Sequence, residues 1–152
     1  MIMKKTAALL FFLFAVTVFA NAQGKFGLGI IVGEPTGISG KYHLTSGSAI
    51  DGAIGWSSYK YGSTHIHADY LQNFANLAPA FDAYFGIGGR IKMKNNDKNQ
   101  DLRLAVRVPV GITYEPKAVP IDLFIEGVPM LDLSPATEFS FNAGIGFRYY
   151  FN

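Results

Sequence analysis

The sequence contains no cysteine. That excludes a disulfide framework, a thiolate metal site, a cysteine nucleophile and a lipidated cysteine. It is also poor in charge: 16% of residues are Asp, Glu, Lys or Arg, where about 25% is usual in a soluble domain. It has no apolar stretch recurring at 3.6 residues after its N-terminal segment, so the bulk of the chain carries no helical pattern. Gly, at 17 residues, is plentiful, and aromatics make up 14%. At 152 residues the chain is long enough for one domain.

The N-terminus reads as a secretory signal over 1–22. Lys4 and Lys5 supply the positive start, and an apolar run follows from Ala7 to Ala20. Ala20-Asn21-Ala22 has the small-x-small form of a cleavage site, with Gln23 as the first mature residue. The alternative, a retained anchor, needs about 20 apolar residues, and this run is shorter. Cleavage removes two of the 13 Lys+Arg and no acid, leaving 11 bases against 11 acids. A neutral exported chain offers nothing to a nucleic acid.

Residues 23–152 form the second unit, expected to be all-β. Eight segments alternate with turn clusters: Lys25–Gly33, Gly37–Leu44, Ala49–Ser57, Thr64–Gln72, Phe81–Met93, Leu102–Tyr114, Ile121–Leu131 and Thr137–Phe151. Short Gly-, Pro-, Asn- and Ser-containing connections make neighbours antiparallel. Within the segments large apolar residues fall on every second position, as in Leu102, Leu104, Val106, Val108, Val110, Ile112 and Tyr114. The other face mixes Gly and Ala with single charges. A lipocalin-like soluble barrel would carry Lys, Glu and Thr on its polar face. Small residues beside isolated charges suit the packed interior of a narrow barrel, so the apolar face is expected to be outside and against lipid. Aromatics at the segment ends, such as Phe26, Trp56, Phe81 and Phe139, suit the level of the headgroups.

On these features the chain resembles the small eight-stranded outer-membrane barrels of Gram-negative bacteria, the class of the OmpA transmembrane domain and OmpX. The resemblance rests on the signal, the dyad repeat, the segment count and the ending Gly144-Ile145-Gly146-Phe147-Arg148-Tyr149-Tyr150-Phe151. It implies an up-and-down transmembrane barrel, monomeric, in the outer membrane. It also implies that Phe147, Tyr149 and Phe151 form the signal read by the barrel-insertion machinery. In the family the aromatic is usually the last residue; here Asn152 follows Phe151. The loops are shorter than an adhesin's.

An eight-stranded lumen is filled by side chains, and unpaired charges there are costly. The expected interior bases are Lys41, Arg90, Lys92, Arg103, Arg107 and Arg148; the acids are Asp51, Asp69, Asp82, Asp122 and Glu126. They are expected to pair as a network, Arg107 with Glu126 in particular. Two prolines disturb the pattern. Pro109 lacks a ladder donor and needs a bulge or an interior water, and a bulge is expected near Pro129.

His65, His67 and Asp69 share one strand face, a spacing open to metal ligation or general-base chemistry. A hydrogen-bonded lumen lining is the preferred account of them, and no serine nucleophile is evident beside them. Gly86-Ile87-Gly88-Gly89 leads into a strand, not a helix, so the phosphate-loop mechanism is missing. Lys92, Lys94 and Lys98 on the longest loop suit lipopolysaccharide phosphates or plain solvation. The sequence thus points to a non-enzymatic structural barrel without a cofactor, in contact with outer-membrane lipid. A narrow solute pore and a secreted barrel binding an apolar ligand are the alternatives.

Overall fold

In a computed structural model the described residues are 26–57, 62–94 and 101–151. The 1–22 signal assignment and residues 95–100 lie outside them.

Strict alternation makes every element a strand. They are β1 (Phe26–Gly33), β2 (Thr36–His43), β3 (Ser48–Ser57), β4 (Ser63–Ala78), β5 (Phe81–Lys94), β6 (Asp101–Arg107), β7 (Val110–Tyr114), β8 (Ile121–Ser134) and β9 (Glu138–Phe151). Sequence neighbours pair antiparallel, except that β6 and β7 do not pair with each other, and β1 pairs with β9 from Phe26↔Phe151 to Gly33↔Gly144. The sheet therefore closes on itself and leaves no free edge.

Nine segments make eight staves, because β6 and β7 are halves of one. Both halves pair with β5 and with β8, and the register is continuous across the break: Gly88↔Arg107 and Phe85↔Val110 on one side, Arg107↔Met130 and Val110↔Gly127 on the other. Two prolines cause the interruption. Pro109 accepts from the Gly86 amide at 2.8 Å and Pro129 from the Val108 amide at 3.0 Å. Neither can return a bond, since neither has an N–H. The expected bulge near Pro129 is absent, and Pro129↔Phe141 sits in unbroken register. The irregularity lies instead between Leu104 and Ala105, opposite Asp132 and Ser134. At Pro109 the stave loses a bond without shifting its residues.

The barrel is apolar outside. Ile30, Ile54, Ile87, Ile125, Phe141 and Ile145 are each more than half exposed. Small apolar clusters lie inside, among them Ala105, Val128 and Met130. In β8 the inward row runs unbroken through Asp122, Phe124, Glu126, Val128, Met130 and Asp132, all buried. Apolar members of a polar lumen do not change the phase. Inward glycines make room for large neighbours: a Cβ on Gly146 would run into the Phe124 ring directly opposite.

Candidate functional site

The charged residues meet in the lumen in three tiers. The connections β2–β3, β4–β5 and β7–β8 share one end with residues 26 and 151, here the terminal end; the opposite end is the loop end.

The tier nearest the terminal end centres on Arg148 from β9. Its guanidinium lies 2.8 Å from Asp51 on β3 and 3.0 Å from Asp122 on β8. Its Nε donates to Ser39 Oγ at 2.9 Å, and the group stacks over Phe124 at 3.9 Å. Asp122 also accepts from Thr113 at 2.5 Å and Tyr150 at 3.3 Å. Lys41 reaches Asp122 at 3.4 Å and Glu115, in the β7–β8 turn, at 2.6 Å. His43 lies 3.4 Å from Glu115 and 2.9 Å from the Tyr150 hydroxyl. These residues floor an open cavity of about 680 Å³ lined by His43, Thr45, Glu115, Lys117, Val119 and Tyr150.

The middle tier centres on Arg107, the first buried base before the proline break. Asp69 on β4 lies 2.9 Å away, an ion pair without an aligned hydrogen bond. Glu126 lies 3.6 Å away and accepts from Tyr84 at 3.0 Å. His65 approaches Arg107 at 3.5 Å and His67 at 3.0 Å. His67 in turn lies 3.9 Å from Asp69. Among the described residues no group of three His, Cys, Asp or Glu is placed to hold a metal ion.

Nearer the loop end, Arg90 pairs with Asp132. Lys92 and Arg103 stand directly opposite each other on β5 and β6.

No family model and no curated protein matches the sequence. A solved structure does match the fold: the N-terminal β-barrel domain of OprF from Pseudomonas aeruginosa. The TM-score is 0.68 at 14% identity, covering 85% of this chain and 98% of that domain. This chain has the eight-stranded OmpA-type barrel fold. At that identity the likeness speaks for the fold alone.

Within this OmpA-type barrel, Lys41, Asp51, Asp69, Arg90, Arg107, Asp122, Glu126 and Arg148 all point inward and approach opposite charges. Three other residues of the expected network, Asp82, Lys92 and Arg103, make no ion pair among the described side chains. Asp82 accepts from the side-chain amides of Asn73 at 3.3 Å and Asn76 at 2.8 Å, because it sits beside the β4–β5 turn. Arg103 has no acid partner among the described side chains. Arg107 has Asp69 closer than Glu126: the strand tilt brings β4 nearer than a flat register suggests. Phe147, Tyr149 and Phe151 face outward, with the last two rings 5.4 Å apart edge to face.

Sequence reasoning missed four participants. Asp132 was legible, since its distance from Glu126 is an even number of residues. Tyr84 and Tyr150 share phases with Asp82 and Arg148, but periodicity gives their faces without naming Glu126 and Asp122 as the acceptors of their hydroxyls. Glu115 lies in a turn, where periodicity assigns no face.

Burial pushes the Glu115 carboxyl up, but the His43 hydrogen bond and the Lys41 charge outweigh it and hold it at about 2. A depressed folded value means stability present above the unfolded value near 4.5 and lost as pH falls toward 2. Glu115→Gln should flatten the pH dependence of urea unfolding between pH 4.5 and 2. A variant whose slope matches the parent would show that Glu115 is not bridged in the folded barrel.

Proposed function

We propose that this protein is an outer-membrane β-barrel of structural role, exported and then folded into the membrane as a monomer. It is non-enzymatic, and its partners are outer-membrane lipid, including lipopolysaccharide, and the insertion machinery during assembly. One observation carries the reading: the barrel is inside out relative to a soluble one. Large apolar side chains cover its outer wall while Arg107, Arg148, Asp122 and His65 lie fully buried within. In water that arrangement exposes a continuous hydrophobic belt, which soluble monomers rarely tolerate. In a bilayer the closed sheet satisfies the backbone through its ladders, apart from the donors missing at Pro109 and Pro129, and the wall meets hydrocarbon. The ring of Phe26, Phe81, Tyr114, Tyr149 and Phe151 near the terminal end supports an interface at that level.

The paired lumen favours a closed interior over a pore. Arg107, Arg148, Tyr84 and Met130 cross the space that an eight-stranded barrel encloses. The test joins three measurements. An unboiled sample should migrate apart from a boiled one on a detergent gel, and the protein should sediment with outer membranes. In a planar bilayer the folded form should give no steady ohmic conductance. Recovery in a soluble periplasmic fraction would remove the membrane reading, and stable conductance steps would replace the closed lumen with a pore.

A further inference from the structure

Like charges placed directly opposite on paired strands repel, and barrels tolerate them only with a counter-charge between. Among the described residues Asp132 on β8 faces Glu138 on β9 at the rim, where Arg90 answers Asp132, and two further places lie within the lumen. Asp51 on β3 faces Asp69 on β4 in register. There the repulsion is answered: Arg148 sits 2.8 Å from Asp51 and Arg107 sits 2.9 Å from Asp69. At the second place Lys92 on β5 faces Arg103 on β6, and His65 on β4 continues the same row. No acid among the described side chains stands between them. Arg90, two residues below Lys92, is already paired with Asp132. Glu34, at this end of the neighbouring hairpin, is the one acid whose charge reaches Lys92, but it stands beyond ion-pair distance and its carboxylate accepts from Ser57 at 2.8 and 3.1 Å.

The hydrogen-bonding groups of the same region tell the same story. Arg90 Nε, Arg103 Nε and Ser63 Oγ are buried without a partner. Arg90 is 5% exposed and Ser63 6%. The two Nε groups can only donate and the serine hydroxyl can donate, so what they lack is an acceptor. A buried donor without an acceptor costs about 1–3 kcal/mol. Three strands thus present positive charge and unmet donors at neighbouring levels of the loop end, which a negatively charged, oxygen-rich guest would answer. Arginine matches the oxygens of such a group as a fork, and lysine adds a point charge.

We propose that the loop end of the lumen binds a phosphate-class oxyanion between Lys92 and Arg103, with Arg90 on its deeper side and Ser63 on its rim side. The same chemistry is presented by free inorganic phosphate and by a phosphorylated lipid headgroup reaching over the rim. The site lies in the barrel interior and stands whether or not the outer wall meets lipid.

The protein is folded in a glucoside detergent, which carries no phosphate, and titrated calorimetrically at constant ionic strength. One arm adds inorganic phosphate. The other adds mixed micelles of diphosphoryl lipid A, with the dephosphorylated lipid as blank. Saturable binding is expected in at least one arm, and which arm responds identifies the source. Lys92→Gln with Arg103→Gln should weaken it at least tenfold, while Lys117→Gln, at the terminal end, should leave it unchanged. The gel mobility shift certifies that each variant is folded. If the double variant fails that check, Lys92→Gln alone serves, with at least a threefold loss expected. A folded protein with no saturable heat in either arm overturns the site but not the barrel. So does binding that survives in the folded variants undiminished.

Discussion

Arg148→Met should cost the folded barrel about 3–5 kcal/mol, the range for removing one partner of a buried ion pair. Arg148 is 2% exposed and holds Asp51 and Asp122 apart by standing between them. Without it the two carboxylates are not equally stranded. Asp122 keeps Lys41, Thr113 and Tyr150. Asp51 keeps no hydrogen-bond partner, only the more distant charges of Lys41 and Arg107, since its other oxygen is already buried without a partner. The loss should therefore be specific. Adding Asp51→Asn to Arg148→Met should recover a good part of it, whereas adding Asp122→Asn should recover less. Arg148→Lys should fall between parent and Met, keeping the charge but losing the fork and the Ser39 bond. Urea unfolding in detergent, followed by the fluorescence of Trp56 and by gel mobility, measures all four; the chain has one Trp. A loss under about 1 kcal/mol, the scale of a surface pair, would mean that the tier does not hold the barrel together.

The second large effect is on the outer wall. Ile145 lies mid-way along β9 and is 59% exposed. On a soluble protein Ile145→Arg would be a surface change, within about 0.5 kcal/mol of neutral. Against hydrocarbon the same change should cost about 2–4 kcal/mol. The control is Thr137→Arg, in the exposed β8–β9 turn, where a cation remains in water and the cost should be near zero. Folding both variants into lipid vesicles and comparing urea midpoints separates the two environments. Equal midpoints would argue that the apolar wall meets something other than lipid.

The alternation of residues determined a good deal by itself. A period of two fixes which side chains share a face, and Leu102–Tyr114 needs no tertiary information to be a strand. The composition of the two faces then sets their orientation, because Gly and Ala beside Arg103 and Arg107 cannot form a soluble protein's outer surface. Closure follows as well, since an even meander of such strands has edges to hide.

Only the tertiary structure decided the partners. Phase says that Arg107, Asp69 and Glu126 all point inward, but their distances depend on strand tilt and on the β1–β9 closure, which no local pattern encodes. The same holds for Pro109 and Pro129. Pro109 alone reads as a defect needing a bulge or an interior water and Pro129 as one needing a bulge, yet in the barrel each keeps one ladder bond and the register continues. Glu115 belongs to a turn, so its approach to Lys41, 74 residues away, exists only once the terminal end is assembled. Sequence periodicity is local and constrains direction; pairing across a closed lumen is global and constrains distance.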